Sequence, residues 1–212
     1  DAWPGGGLYP WMTVATALEV VSSSTSDTAA GVGARTIMIQ GLNSDYVVTN
    51  QAVTLNGTGA VAIPLSLLRI NYVSVITAGT TLTNVGNITI RDSGAGATRA
   101  IVPAGDGVSR QAPYTVAAGY TLALTQLLID VESPIGAVNK YAKMATYIKP
   151  VDKAFLLSLQ IGTTNAAPYR LDLHPPVVLA EKTDFSLRII TCSDNNTNIT
   201  CKPFEYLKHP MA

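Results

Sequence analysis

Hydrophobic and polar positions along this chain alternate with a period of two, and long amphipathic helices at a 3.6-residue period are missing. Residues 35–40 place Ile37 and Ile39 on one face and Thr36, Met38 and Gln40 on the other. In 47–55, Val47, Val53 and Leu55 share a face, and the turn formers Gly41-Leu42-Asn43-Ser44-Asp45 before them predict a hairpin. Asn56-Gly57 supplies a second turn, because both residues tolerate positive φ. Further strand-like runs occupy 67–77, 86–92, 99–102, 114–116, 120–131, 144–149, 155–161, 169–174 and 185–192. In 169–174, Tyr169, Leu171 and Leu173 alternate with Arg170, Asp172 and His174, which predicts a strand with one polar face. Residues 64–68 fit a single helical turn as well as a strand.

Turn clusters such as Gly94-Ala95-Gly96, Ser133-Pro134 and Pro175-Pro176 punctuate these runs. Many short strands so spaced predict an all-β protein, a β-sandwich of jelly-roll type. Residues 1–17 carry three glycines in a row and the aromatics Trp3, Tyr9 and Trp11, and read as an extended N-terminal arm. Residues 18–212 then form the sandwich. The stretch 92–112 has few large apolar residues and fits a long loop or a boundary; the loop is favoured because strand patterning resumes on both sides.

Composition narrows the function. Of 212 residues, 47% are hydrophobic and 13% charged, about half the share usual in soluble domains. Fourteen basic residues balance fourteen acidic ones, so no basic surplus exists to displace counterions from a phosphate backbone, and nucleic acid is not an expected partner. So little charge also provides little repulsion between copies, which favours a chain covered in an assembly. No run of eighteen apolar residues argues for a membrane-spanning helix. The chain starts at Asp1 rather than Met, which leaves room for an upstream segment, and no signal-peptide pattern is present.

Catalytic spacing is sparse. The nucleophile-elbow, zinc-protease and phosphate-loop motifs do not occur, and the two histidines, His174 and His209, lack ligands at zinc spacing. Gly31-Val32-Gly33 and Gly94-Ala95-Gly96 read as turns. The carboxylates Glu19, Asp130, Glu132, Glu181, Asp184 and Glu205 are scattered, without the paired arrangement that glycoside hydrolysis needs. No catalytic residue, metal or cofactor is therefore expected. Cys192 and Cys201 flank a polar stretch that could turn a hairpin and bring both thiols together. A disulfide and two reduced cysteines remain equal alternatives. Asp194 in that stretch is a weak calcium candidate, since the loop lacks the EF-hand pattern. Nine tyrosines, mostly single on their strands, fit core edges better than a sugar-stacking platform.

Several segments carry a resemblance: residues 18–24, Asp27-Thr28-Ala29-Ala30-Gly31-Val32-Gly33-Ala34-Arg35-Thr36, Val53-Thr54-Leu55-Asn56-Gly57-Thr58, Leu68-Arg69-Ile70-Asn71, residues 83–90, 114–119 and 176–184. Together they resemble virion structural proteins of tailed phages, including those of cyanobacteria, across most of 18–188. Residues 193–212 have no counterpart. The resemblance implies a non-enzymatic capsid cement or decoration protein, assembled in the host cytoplasm and placed on the capsid exterior. Its implied partners are the major capsid protein and its own copies, as a homotrimer. A tail, neck or fibre-adaptor component is the first alternative, and a carbohydrate-binding sandwich the second. Trp3, Tyr9 and Trp11 are the expected interface anchors, because Trp and Tyr dominate interface hot spots.

Overall fold

In the computed structural model, which describes residues 1–132, 140–164, 169–193, 198–202 and 206–210, the period-two segments become antiparallel strands, and no helix occurs among the described residues. The chain gathers into two compact units, Trp3–Gln111 and Asp1–Ala2 with Ala112–Ala212. Their division falls at the end of the 92–112 stretch.

The N-terminal unit contains β1 (Leu18–Ser22), β2 (Ala34–Leu42), β3 (Val48–Thr54), β4 (Val61–Ala62), β5 (Arg69–Ala78), β6 (Ile88–Asp92) and β7 (Thr98–Val102). One sheet runs β4-β1-β6-β7 and the other β3-β2-β5. Alternation decides which side chains meet: Leu18, Val20, Ile88, Ile90, Ala100 and Val102 of the first sheet pack in one buried cluster with Ile37, Ile39, Val53, Ile70 and Val73 of the second. The hairpin read from 35–55 is present as β2 and β3, registered from Thr36 opposite Thr54 to Leu42 opposite Val48. Residues 64–68 form no helix; Leu67 bridges to Thr16.

The C-terminal unit contains β8 (Tyr114–Thr115), β9 (Tyr120–Glu132), β10 (Tyr141–Lys149), β11 (Leu156–Thr164), β12 (Tyr169–Leu179), β13 (Asp184–Cys192), β14 (Asn198–Lys202) and β15 (Tyr206–Pro210). One sheet runs β11-β10-β13-β8; in the other, β12 and β14 flank β9, which also pairs with β15. The buried positions of β9 change phase along the strand. Leu122 and Leu124 point into one cluster with Val116, Leu179 and Phe185. Leu127 and Ile129 point into another with Met144, Ile161 and Leu187. The half-buried pair Thr125 and Gln126 absorbs the shift, opposite the point where β12 jumps from Asp172 to Val177 in register. Such a bulge keeps both halves of a strand facing the core. These pairings establish all-β sandwich packing and carry no assignment to a jelly roll.

Candidate functional site

The arm residues predicted as interface anchors are built into the N-terminal unit. Trp3 and Tyr9 meet edge to face at 5.2 Å between ring centroids, and Tyr9 and Trp11 at 4.9 Å. Tyr9 and Met12 are buried, whereas Trp3 and Trp11 are half-buried. Two arginines hold the backbone of this segment. Arg69 donates from Nη1 to the carbonyls of Met12 at 2.6 Å and Leu68 at 2.8 Å, and its guanidinium lies 5.2 Å from the Trp11 ring and 5.8 Å from Tyr46. Arg99 donates to the Pro10 carbonyl and pairs through Nε with Asp92 at 2.7 Å. Leu8 and Val14, on either side of the buried anchors, are 71% and 67% exposed. Tyr9 thus ties the segment to its own chain, while Leu8, Val14 and parts of the two tryptophans remain at the surface.

Sequence reasoning passed over Asp27, whose carboxylate is completely buried. Its Oδ1 accepts from the backbone N–H of Ala34 at 2.8 Å and Val85 at 2.9 Å; its Oδ2 accepts from Ser22 Oγ at 2.6 Å and the Gly86 N–H at 2.9 Å. A buried carboxylate is tolerable only with its acceptor sites filled, and these four donors fill them. Gly33 is a steric requirement of the same hub, because a Cβ there would lie 2.1 Å from Asp27 Oδ1. Gly33 therefore serves the close approach of backbone to carboxylate, and Gly31 that of backbone to backbone, since a Cβ there would lie 2.0 Å from the Ser26 carbonyl oxygen. Asn84 acts similarly, donating to the carbonyls of Gly86 and Pro103 at 2.7 Å each and accepting from the Gly107 N–H at 2.9 Å.

The scattered carboxylates fall into separate places. Glu19 pairs with Arg91 at 2.7 Å and accepts from the N–H groups of Gly94 and Ala95, and the Gly94 bond, then the Arg91 side chain, hold its carboxyl below the usual value. In the C-terminal unit, Asp184 accepts from Thr115 Oγ1 at 2.6 Å and lies 3.6 Å from Lys149 Nζ; Glu181 accepts from the Gly119 N–H at 2.7 Å. The side chains of Asp130, Glu132 and Glu205 lie outside the described residues, as does that of His209. His174 is exposed on β12. Its neighbour Asp172 is held below the ordinary carboxyl value first by the Arg170 side chain and then by Gln126.

The hairpin expected between Cys192 and Cys201 does not form. Cys192 ends β13, opposite Ala142 on β10, whereas Cys201 lies on β14, opposite Ile129 in the other sheet. The strand that follows Cys192 therefore joins the other sheet. The Cys201 side chain and residues 194–197, with the calcium candidate Asp194, lie outside the described residues, and so does the disulfide expectation. Among the described residues, no group of three His, Cys, Asp or Glu side chains could hold a metal, and no helix is long and apolar enough to cross a membrane.

Elsewhere in the C-terminal unit, Arg188 stacks over Tyr147 at 4.2 Å and Phe155 at 4.8 Å while its Nε pairs with Asp1 at 3.0 Å. An open groove of about 520 Å³ lies over the same sheet, lined by Tyr141, Lys143, Gln160, Gly162, Thr164 and Thr191 among others, and a Cβ at Gly162 would meet nothing within 4 Å.

Among the described residues, fold and surface define a class: an all-β protein of two compact units. No family model, curated protein or solved structure matches the chain.

Proposed function

We propose that this chain is a non-enzymatic virion structural protein, a capsid cement that binds the outer surface of a phage head as a homotrimer and stabilises the major capsid protein lattice. The observation that carries the reading is the arm of the N-terminal unit. Buried Tyr9 and Met12 fix it, Leu8 and Val14 next to them in the sequence are exposed, and Trp3 and Trp11 are half-buried. A preorganised apolar and aromatic surface loses little conformational entropy on docking, which is what a contact repeated over a lattice requires. The low charge of the chain fits the same role, since covered faces need little charge for solubility.

The test compares complete particles with particles lacking this chain under heat and osmotic shock. Loss of head integrity without the chain supports cementing, and equal resistance overturns it. A double substitution, Leu8→Asp with Val14→Asp, is expected to abolish particle binding while the circular dichroism spectrum is kept. Copy number per particle separates a cement, present in hundreds, from a tail or neck component present in about a dozen copies or fewer.

A further inference from the structure

We propose that the groove over Gly162 is a saccharide-binding site, which takes a sugar ring carrying a carboxylate. Gly162 lies inside β11, and a glycine there weakens the strand unless something needs the missing side chain. Every other described glycine is explained by its own chain. Either its φ is positive, as at Gly119, or a Cβ would come within 3.0 Å of a neighbouring atom, as at Gly41. Gly162 has neither reason. No bulge falls there either, since the β10–β11 register runs regularly from Tyr141 opposite Thr164 to Thr146 opposite Leu159. What remains is a ligand that approaches the backbone from outside. The groove above, of about 520 Å³, lies within the roughly 300–1,000 Å³ of small-molecule sites.

The lining names the chemistry of the occupant. Alternation puts Tyr141 and Lys143 of β10 on the same exposed face as Gln160, Gly162 and Thr164 of β11, and Thr191 of β13 is the register partner of Lys143. Tyr141 is 50% exposed, and its ring offers an apolar surface on which the C–H face of one sugar ring can lie. Gln160, Thr164 and Thr191 bring an amide and two hydroxyls, groups that donate and accept as sugar hydroxyls do. Among the described residues the lining carries one cation, Lys143 opposite Gly162, and no carboxylate. That charge is complementary to a single carboxylate on the ligand. A chain of phosphates calls for a cluster of cations, and a wholly apolar ligand would leave the amide and hydroxyls without partners.

The groove is open, so a bound sugar keeps one side in water and binding to a single chain is weak; copies held side by side on one glycan strengthen it. Because a Cβ at Gly162 meets nothing, a side chain there fills the groove without disturbing the sheet, and stability and binding move in opposite directions. The site belongs to the isolated chain and stands apart from the cement reading.

The test titrates the full chain against immobilised glycans: oligomers of galacturonic and glucuronic acid and sialylated lactose, beside neutral oligomers of galactose and glucose. The parent is expected to bind one of the acidic probes, and to bind it more tightly than the neutral ones by about ten-fold or more. Gly162→Val is expected to lose that binding by about ten-fold or more, while the thermal midpoint in circular dichroism stays level or rises. Tyr141→Ala, at an exposed position, is expected to weaken binding by about ten-fold with an unchanged spectrum. Lys143→Gln is expected to erase the preference for acidic over neutral probes. No binding by the parent to any probe, or binding retained in both Gly162→Val and Tyr141→Ala, overturns the site. Equal binding of acidic and neutral probes by the parent overturns the assignment of a carboxylated sugar.

Discussion

The two units answer the same problem, closing a β-sandwich, with different means. In the N-terminal unit, one continuous cluster from Met12 to Val102 fills the space between its sheets, and buried polar side chains tie its loops. Asp27 alone joins β1, the start of β2 and the turn before β6. In the C-terminal unit, the core is divided in two by the phase change of β9, and long strands carry the connections. Its surface is correspondingly more apolar on the strands themselves, with Leu156 and Leu157 on β11 and Ile189 and Ile190 on β13 exposed. In the first unit the loops are held by buried side chains, Asp27, Arg69 and Asn84, whose hydrogen bonds have one geometry and fail sharply when a partner is removed. The second also buries polar side chains, Thr115 and Asp184 among them, but leaves more large apolar side chains exposed on its strands.

This contrast can be probed separately in each unit, because both tryptophans of the chain, Trp3 and Trp11, belong to the N-terminal one. The largest effect is expected from Phe185→Ala, which empties the centre of the Val116, Leu122, Leu124 and Leu179 cluster. Loss of a buried phenyl ring costs about 3–5 kcal/mol. Hydrogen exchange should weaken across β9 and β13 while the tryptophan-detected urea midpoint holds. A coincident shift of both signals would break the division into separate units.

Asp27→Ala comes next, as the opposite test. It strands three backbone N–H groups and the Ser22 hydroxyl in a buried site, a loss of about 3 kcal/mol. The tryptophan midpoint should fall and exchange in β9 to β13 should not change. Asp27→Asn restores only part of the stability, since its amide NH₂ faces donors where the carboxylate oxygen accepted two bonds.

A pair of glycines sharpens the comparison at smaller scale. In β2, a Cβ at Gly41 would lie 2.6 Å from the Arg69 carbonyl oxygen on the neighbouring strand, whereas a Cβ at Gly162 in β11 would meet nothing within 4 Å. Gly41→Ala is expected to destabilise by about 1–3 kcal/mol through overpacking. Gly162→Ala is expected to stabilise by about 0.4–1 kcal/mol, by reducing the freedom of the unfolded chain. Urea titration of both variants gives the two signs directly, and equal signs would remove the distinction between a closed sheet and an open edge.

What the sequence reveals of this architecture follows from how local each signal is. The β2–β3 hairpin is legible because alternation and turn residues lie within twenty positions of each other. The outward polar face of β12 is legible for the same reason, with Arg170, Asp172 and His174 exposed as the alternation requires. Asp27 is not legible: its donors Val85 and Gly86 lie 58 and 59 positions away, and its sequence surroundings of serines and glycines look like any loop. The phase change in β9 is hidden because leucines at 122, 124, 127 and 128 read as one uniform apolar run. Arg69 offered only a weak sign, a lone cation among Leu67, Leu68 and Ile70, and its part in holding the arm depends on Met12, 57 positions earlier. The hairpin expected around Cys192 and Cys201 fails because adjacency in sequence does not say which sheet the next strand joins.

The smallest expected effect concerns acid, and it again separates the units. Glu19, in the N-terminal unit, is held below its ordinary value of 4.5, first by the Gly94 N–H and next by Arg91; Asp172, in the C-terminal unit, is held below 3.8, first by Arg170 and next by Gln126. In both cases the folded state binds fewer protons than the unfolded state across the window between the two values. The stability each carboxylate contributes is therefore fully present above its unfolded value and is lost as pH falls through the folded one. Both groups sit at the surface, so solvent screens the effect and it is modest. Tryptophan-detected urea midpoints followed from about pH 6 to about pH 3 should decline as pH falls through the Glu19 window in the parent chain. Glu19→Gln is expected to flatten that decline, while Asp172→Asn leaves it unchanged because its charge belongs to the other unit. A decline that persists in Glu19→Gln would assign the acid sensitivity to another carboxylate of the same unit. A change in the tryptophan profile of Asp172→Asn would show that the two sandwiches do not unfold independently.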